Sequence, residues 1–185
     1  MKLSIVIPAY NEEERISDTL ISYHKFFYKI YRKDFEIIVI VNGSADDTLN
    51  IVQKLCRKYS PIKRRNFDEK IGKGGAVIEG FKIAEGDLIG FVDADMSTYP
   101  EAFYDLILSL KNSDGVVGSR WIRGAVIDKK QPLKRRIVSR VFNLLVRTLF
   151  FINIRDTQCG AKLFTKKSIK QVTGNLGITQ WGFDV

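Results

Sequence analysis

Near its midpoint the chain reads Leu88-Ile89-Gly90-Phe91-Val92-Asp93-Ala94-Asp95, an apolar run that ends in two aspartates. A short continuous apolar run of this kind is typical of a strand that helices cover on both faces. Asp93 and Asp95 are two residues apart, so they leave such a strand on the same face. Burying both carboxylates without a partner would be costly, and a divalent cation shared with phosphate oxygens removes that cost. The stretch indicates a Mg²⁺ or Mn²⁺ site or, as the alternative, a pair of N-cap residues ahead of Pro100.

Strand-like runs and helix-like repeats alternate along the rest of the chain. Strands are predicted at residues 3–8, 35–41 and 115–118, and helices over 12–30, 46–59 and 75–85 and from Pro100 onward. This alternation predicts an α/β fold, with a doubly wound, mostly parallel sheet and helices on both faces, as in Rossmann-like proteins. Ligands of such sheets bind at the carboxyl ends of the strands.

Local signals predict how these elements begin. Asn11 precedes three glutamates and Ser44 follows the second strand, so each is predicted to be the N-cap of a helix. Residues 63–75 are polar and basic and contain glycine, and we expect a loop there.

Polar segments follow each of the three longest strand-like runs. They are Pro8-Ala9-Tyr10-Asn11-Glu12, Asn42-Gly43-Ser44 and Asp93-Ala94-Asp95. Because these runs are predicted to be parallel, the three segments should meet at one edge of the sheet. Gly72-Lys73-Gly74-Gly75 adds a cation ahead of a helix, which is a suitable phosphate-facing element although it is not a Walker A loop. Arg120, after the next strand, adds a guanidinium to the same edge.

Positive charge is concentrated in one part of the chain. The formal net charge is +9, and residues 118–170 contain 14 basic and 2 acidic side chains. Such a flank indicates an anionic partner or only a solvated surface. Within it, residues 132–152 form an amphipathic helix pattern whose polar face carries Arg136, Arg140, Asn143 and Arg147. The opposing apolar face is expected either to close the core or to dock on a bilayer or a lipid substrate.

Several motifs, in this order, resemble the family 2 inverting glycosyltransferases with the GT-A fold, and in particular those that charge polyprenyl phosphates. The matching segments are residues 6–12, 72–77, 93–95, 118–120, 156–164 and 181–185. Residues 72–77 and 156–160 are more similar to the dolichyl-phosphate β-glucosyltransferases than to the mannosyl relatives. The family usually has Asp-Asp-Gly-Ser after the second strand, where this chain has Val41-Asn42-Gly43-Ser44, so the choice of nucleotide stays open.

The resemblance implies a role for each candidate residue. Catalysis is assigned to Asp93, Asp95 and Arg120, and metal binding to Asp95. The nucleotide sugar is assigned to Pro8, Ala9, Tyr10, Glu12, Asn42, Lys73 and Asp93. The acceptor is assigned to Arg136, Arg140, Gln158, Trp181 and Asp184. The resemblance also implies a single catalytic domain over residues 1–185, and because family sequences continue past Phe183-Asp184-Val185, we expect a chain trimmed at its C-terminus.

The function that follows is metal-dependent transfer of a hexose with inversion, with glucose from UDP-glucose as the donor. The expected acceptor is polyprenyl (dolichyl) phosphate at the cytosolic face of a membrane. An anionic acceptor needs no strong general base, in agreement with a chain whose one histidine, His24, is predicted to lie on a helix away from these loops. A hydroxyl acceptor would need a carboxylate base, for which Asp184 is the nearest candidate.

Other functions stay open at this point. A GDP-mannose-dependent enzyme and an enzyme with a glycan hydroxyl as acceptor use the same motifs. A non-catalytic nucleotide-binding module belongs to another class, and Val41, in place of the usual acid, keeps it under consideration. No nucleic-acid partner is expected, because the basic flank carries only scattered aromatic residues and no recognised motif.

Overall fold

The computed structural model describes residues 2–120, 133–151 and 156–173, with only the backbone described at 133–138 and 150. Six strands and six helices follow one another in this part of the chain. They are β1 (Leu3–Ala9), α1 (Ile16–Tyr31), β2 (Phe35–Asn42), α2 (Thr48–Lys58), β3 (Ile62–Phe67), α3 (Gly72–Ile83), β4 (Leu88–Val92), α4 (Pro100–Ser109), β5 (Gly115–Val117), α5 (Leu133–Phe150), β6 (Ala161–Thr165) and α6 (Lys166–Thr173).

The strands form one mixed sheet in the order β3-β2-β1-β4-β6-β5. β1 pairs in parallel with β2 and β4, and β2 pairs in parallel with β3. β6 is antiparallel to both of its neighbours, β4 and β5. The predicted doubly wound, mostly parallel α/β sheet is therefore confirmed. The strand order changes direction between β1 and β4, where a ligand crevice is expected in such a sheet.

Helices cover both faces of the sheet, and strand residues alternate between the two cores. Ile5, Ile7 and Val39 belong to a cluster that includes side chains of α1, α2 and α4. Val6 and Ile38 belong to a second cluster on the opposite face, with side chains of α3 and α6. Because both faces are buried, β1, β2 and β4 need apolar residues at nearly every position. Their sequences are nearly continuous apolar runs for this reason.

The prediction of a loop over residues 63–75 is wrong at both ends of that range. Residues 62–67 form β3, and α3 already begins at Gly72. β3 lies at the edge of the sheet and exposes Lys63, Arg64 and Arg65. Charged side chains on an edge strand hinder pairing with another chain, so a polar sequence is compatible with a strand at this place.

The predicted N-caps of the first two helices are also wrong. Arg15 occupies the N-cap position of α1, and Asp47 occupies that of α2. Asn11 has a positive φ of 51° and lies in the loop before the helix. Its backbone N–H donates to Ser44 Oγ at 3.2 Å. The two residues therefore join the β1–α1 and β2–α2 loops to each other, because their short polar side chains bond across the loops instead of capping a helix.

A buried acidic residue, Glu36, lies at the end of the sheet opposite to these loops. Glu36 Oε1 accepts hydrogen bonds from Ser4 Oγ at 2.6 Å and from the backbone N–H of Glu85 at 2.9 Å. Lys63 Nζ lies 2.7 Å from Glu36 Oε2. Burial alone would raise the pKa of Glu36, but the hydrogen bonds from Lys63, Ser4 and the Glu85 backbone lower it. Glu36 therefore stays ionised and ties the α3–β4 turn to β1 and β2.

Candidate functional site

Asp93 and Lys73 form an ion pair at the carboxyl end of β4. Asp93 directly follows the strand, on the face that α3 covers, and Lys73 lies in the first turn of α3. Lys73 Nζ lies 2.6 Å from Asp93 Oδ1, and the two side chains are 45% and 28% exposed. The helix N-terminus adds backbone N–H groups to this cation, a combination that favours an anion such as a phosphate. The structure thus brings together two residues predicted for the nucleotide sugar.

Gly160 forms the wall against which the Asp93 carboxylate packs. A Cβ atom built on Gly160 would lie 2.1 Å from Asp93 Oδ2 and 2.7 Å from its Cγ. Any residue other than glycine would displace this carboxylate. The segment just before β6 therefore shapes the site as closely as the end of β4 does.

Arg120 pairs side-on with a buried aspartate. Its Nε donates to Asp156 Oδ2 at 2.9 Å, and its Nη2 donates to Asp156 Oδ1 at 3.0 Å. The Asp156 side chain is 0% exposed, whereas that of Arg120 is 32% exposed. The hydrogen bonds with Asp156 raise the pKa of the guanidinium, to which the negative charge of Asp93 also contributes. Arg120 therefore stays a cation within electrostatic reach of Asp93.

Asp95 lies at the rim of the site with an exposed side chain. Its Oδ1 accepts a hydrogen bond from the Ser97 backbone N–H at 2.9 Å. Burial raises the pKa of Glu12. The positive charge of Arg15 lowers this pKa, whereas the negative charges of Asp95 and Asp93 raise it further. Glu12 follows β1, and Asp93 and Asp95 follow β4, its parallel neighbour, so the three acids lie at one edge of the sheet, as the convergence of the strand ends predicted.

The residues fit a cation that takes few of its ligands from the protein. Within the described ranges, no group of three or more acidic, cysteine or histidine side chains is arranged to hold a metal ion. Asp93 and Asp95 alone provide a pair of carboxylates at an open edge. Mg²⁺ and Mn²⁺ prefer oxygen ligands, and Mg²⁺ is commonly held by one or two carboxylates together with water and substrate phosphates. This donor set agrees with a cation that is bound together with a nucleoside diphosphate.

Reciprocal hydrogen bonds hold the β1–α1 and β2–α2 loops together. Asn11 Oδ1 accepts from the Ala45 N–H at 2.9 Å, and Asp46 Oδ2 accepts from the Glu13 N–H at 3.1 Å. The Glu12 N–H donates to Thr48 Oγ1 at 2.8 Å. These loops border an open cavity of about 390 Å³ that is lined by residues 11–15, 45 and 46. Glu12 is the predicted site residue that lines this cavity, whereas Lys73, Asp93, Asp95 and Arg120 do not.

The other residues predicted for the nucleotide sugar occupy different surroundings. Tyr10 is exposed, and Lys70 Nζ lies 3.9 Å from the centre of its ring, so one face of the ring is covered by a cation. Pro8 and Ala9 lie in β1, where Ala9 is buried. Asn42 is also buried, and its Oδ1 accepts from the Ile71 N–H at 2.7 Å. Asn42 therefore supports the start of α3, and its predicted contact with a nucleotide stays a prediction.

The orientation of α5 differs from both sequence-based descriptions of its faces. Asn143, predicted on the polar face, is buried, and its Nδ2 donates to Thr157 Oγ1 at 3.2 Å. The alternative in which the apolar face closes the core is wrong for the side chains of that face that the structure describes, because they are exposed. Its exposed side chains are Val141, Phe142, Leu145 and Leu149, of which Leu149 is 70% exposed, and Leu144 and Phe151 are exposed beside them. Asn143 is buried because the body of the protein offers it a hydrogen-bond partner.

The predicted acceptor residues are only partly placed. Arg140 and Gln158 are exposed, on α5 and just before β6 respectively. Arg136 lies on the backbone of α5, and its side chain is outside the described set. Trp181 and Asp184 lie outside the described residues altogether. None of the helices in the described ranges is long and apolar enough to cross a membrane.

The sequence analysis assigned no role to three residues of the site, Asp156, Gly160 and Lys70. Asp156 had one usable signal, since it is one of only 2 acidic residues in a segment with 14 basic ones. Both Asp156 and Gly160 also lie in the matching segment 156–164, although no role was assigned to either. Lys70 had no signal, because its contact depends on packing between segments distant in the sequence.

The chain is similar to known proteins along most of its length. Residues 4–173 match the family model described as Glycosyl transferase family 2. A dolichyl-phosphate beta-glucosyltransferase of Dictyostelium discoideum is 35% identical over 99% of this chain and 60% of its own length. The human dolichyl-phosphate beta-glucosyltransferase is 32% identical over 100% of this chain. This chain spans 57% to 61% of the length of the dolichyl-phosphate beta-glucosyltransferases that it matches, and 30% of the length of the Haloferax volcanii glycosyltransferase AglD, to which it is 31% identical.

Solved structures with the same fold include S. aureus TarS 1-349 in complex with UDP. It matches with a TM-score of 0.68 and 24% identity over 100% of this chain and 53% of its own. At this identity the likeness is one of fold, and the bound UDP is a property of that protein.

Proposed function

The chain belongs to glycosyl transferase family 2, and from this premise we propose that it transfers a hexose from a sugar nucleotide to a polyprenyl phosphate. The proposed donor is UDP-glucose, the reaction inverts the anomeric carbon, and it takes place at the cytosolic face of a membrane. The observation that carries the proposal is the cluster of Lys73, Asp93, Asp95 and Arg120 at one edge of the sheet. The names of the relatives, which are dolichyl-phosphate beta-glucosyltransferases, support the acceptor and the sugar.

The proposed chemistry follows from the charge that develops on the leaving group. The C–O bond between the sugar and the diphosphate breaks while a phosphate oxygen of the acceptor forms the new bond on the opposite side. A divalent cation held by Asp93 and Asp95 would neutralise the departing diphosphate when bound. Lys73 and Arg120 provide fixed positive charge for the same groups. The acceptor phosphate is already anionic, so no side chain has to remove a proton from it.

We expect UDP-glucose to be the better donor and UDP to bind more tightly than GDP. This preference rests on the similarity of residues 72–77 and 156–160 to the glucosyl relatives. The test is a transfer assay with radiolabelled UDP-glucose or GDP-mannose, a short-chain polyprenyl phosphate and Mn²⁺, together with calorimetry of UDP and GDP. Tighter GDP binding with mannose transfer would assign the chain to the mannosyl relatives.

A non-catalytic nucleotide-binding module is distinguished in the same assay. Such a module would bind a nucleoside diphosphate but would transfer no sugar, either to a lipid phosphate or to a glycan hydroxyl. Val41 is the observation that keeps this alternative, because it is buried against α1 and α2 and offers no polar atom to a base. Product formation with either donor excludes it.

We propose that α5 docks on the membrane surface through its exposed apolar face. Leu144, Leu145 and Leu149 are each more than half exposed, and Arg140 is exposed next to them. Exposed leucines flanked by cations are typical of helices that lie in the interface of an anionic bilayer. A helix in this position brings the basic segment of the chain close to the headgroups, where the phosphate of a polyprenyl phosphate lies.

Neutralising Arg136, Arg140 and Arg147 to glutamine should weaken binding to anionic liposomes by roughly 30-fold at low salt. Each cation near such a surface contributes about 1 kcal/mol, and Arg147 is half-buried, so the loss is that of about two cations. Co-sedimentation with phosphatidylserine vesicles measures this effect, which should shrink as salt rises. The matched control neutralises Lys54, Arg57 and Arg64, three exposed cations at the other edge of the sheet. Equal losses in the two variants would contradict docking through α5.

A further inference from the structure

Arg120 is held at more points than a surface arginine normally is. Besides the two side-chain hydrogen bonds to Asp156, the Arg120 backbone N–H donates to Asp156 Oδ2 at 3.1 Å. One carboxylate therefore fixes both the backbone and the guanidinium of the same residue. The side-on pair occupies Nε and one N–H of Nη2, so the Nη1 end of the guanidinium points away from Asp156.

The strands place Arg120 next to the site. Gly118 N donates to Ala161 O at 2.9 Å, and Ala161 also pairs with Val92 in the neighbouring strand. The start of β6 therefore lies between the end of β5, which leads to Arg120, and the end of β4, which leads to Asp93. The negative charge of Asp93 acts on the Arg120 guanidinium across the start of β6. Asp156 lies a few residues before β6, and its side chain is fully buried whereas that of Arg120 is partly exposed.

Asp156 itself cannot reach a substrate. Its side chain is fully buried, and both carboxylate oxygens accept hydrogen bonds from Arg120. A general base would have to be within hydrogen-bond reach of the proton that it removes. A buried carboxylate without its arginine would be an uncompensated charge, and the arginine without its carboxylate would be free to rotate. Each residue of the pair thus determines the state of the other.

We propose that Asp156 is a positioning residue, which holds the Arg120 guanidinium so that its free N–H groups face a phosphate beside Asp93. The proposal rests on the proposed function, because the phosphate is that of the sugar nucleotide or of the lipid acceptor. Arg120 provides the contact with the phosphate, and Asp156 acts only through Arg120. A guanidinium whose orientation is fixed before substrate arrives stabilises the transition state without reorganising during the reaction.

A double-mutant cycle in the transfer assay tests this proposal. Asp156→Asn keeps the shape of the side chain and removes its charge, and we expect kcat to fall at least about tenfold while the donor KM changes much less, because a displaced catalytic group loses rate. In an Arg120→Lys background, whose ammonium cannot form the side-on pair, Asp156→Asn should cause little further loss. An equal loss in both backgrounds would overturn the proposal, because Asp156 would then act independently of Arg120.

Glu36→Gln is the matched control, since Glu36 is also a buried, ion-paired acid but lies at the opposite end of the sheet. It should lower the melting temperature and leave kcat of the folded protein unchanged. If Asp156→Asn does not fold, Arg120→Lys alone decides the matter. It keeps the positive charge, so a kcat equal to that of the wild type would show that the orientation of the guanidinium is irrelevant and would overturn the proposal.

A measurement that does not depend on activity separates this proposal from the proposed function. The Arg120 Nε–H resonance, identified by its absence in Arg120→Lys, should exchange slowly with solvent in the wild type and rapidly in Asp156→Asn. If the wild type transfers no sugar, the proposed function fails. The exchange rates then still decide whether Asp156 holds Arg120, and equal rates in the two proteins would overturn that part as well.

Discussion

Asp95→Ala is expected to remove the metal-dependent part of the affinity for UDP. It should also slow glucose transfer by roughly 10²–10³-fold, which is the range seen when one group that stabilises transition-state charge is removed. The reason is the small donor set. Asp93 already shares one oxygen with Lys73 at 2.6 Å, so a cation at this edge depends on Asp95 for its second protein ligand. Calorimetry of UDP with and without Mn²⁺, followed by the transfer assay, measures both effects.

The fold should be unaffected, because the exposed Asp95 side chain makes one hydrogen bond, to the Ser97 backbone. Asp105→Ala removes another exposed acid, on α4 and outside the site, and serves as the control for the loss of negative charge. Equal UDP binding by wild type and Asp95→Ala, in the presence and in the absence of Mn²⁺, would refute a metal role for Asp95.

Gly160→Ala is expected to reduce transfer by about 10²-fold, the loss that a misplacement of about 1 Å at a reacting group can cause. The new methyl group would lie 2.1 Å from Asp93 Oδ2, so the carboxylate has to rotate away from its position beside Lys73. Only the end of a side chain has to move, and the melting temperature should therefore change little. Steady-state kinetics and thermal unfolding of the same preparation give both values.

Gly80→Ala provides the contrasting case. A Cβ atom at Gly80 would lie 2.2 Å from Val6 Cγ1, in the core between α3 and β1. Overpacking of this kind typically costs about 1–3 kcal/mol, so the melting temperature should fall while the folded fraction keeps its activity. A Gly160→Ala protein that loses stability as Gly80→Ala does, or that keeps full activity, would show that Asp93 does not need its observed position.

The central part of the fold could be predicted because its constraints are local. β1, β2 and β4 are covered on both faces, so their apolar runs are nearly continuous and easily recognised. β3 has the same backbone pairing with β2, but its position at the edge lets Lys63, Arg64 and Arg65 face solvent. A strand whose side chains are mostly solvated lacks the pattern from which strands are predicted.

The candidate site, too, could be predicted only in part. Asp93 was predicted at this edge by the general rule for the ends of parallel strands, and Lys73 by its glycine-rich segment ahead of a helix. The pairing of Arg120 with Asp156 could not be predicted. Asp156 is 36 residues away in the sequence and lies just before a strand that is antiparallel to its neighbours. The amphipathic pattern of α5 correctly predicted a helix. It did not predict which side packs on the body, since that side carries a buried amide, Asn143, beside the buried Val146.

The placement of β6 has a consequence for how proteins of this kind can diversify. β5 and β6 are adjacent antiparallel strands, with Val117 opposite Lys162, so the chain leaves β5 and enters β6 at the same place in the sheet. Both ends of the connecting segment belong to the site, because Arg120 pairs with Asp156 and Gly160 packs against Asp93. The part between these ends can change in length or sequence without shifting β4, which places Asp93. Related proteins can thus exchange the part that carries α5 as a module, and with it the proposed contact with the membrane, while the donor side of the site is inherited unchanged.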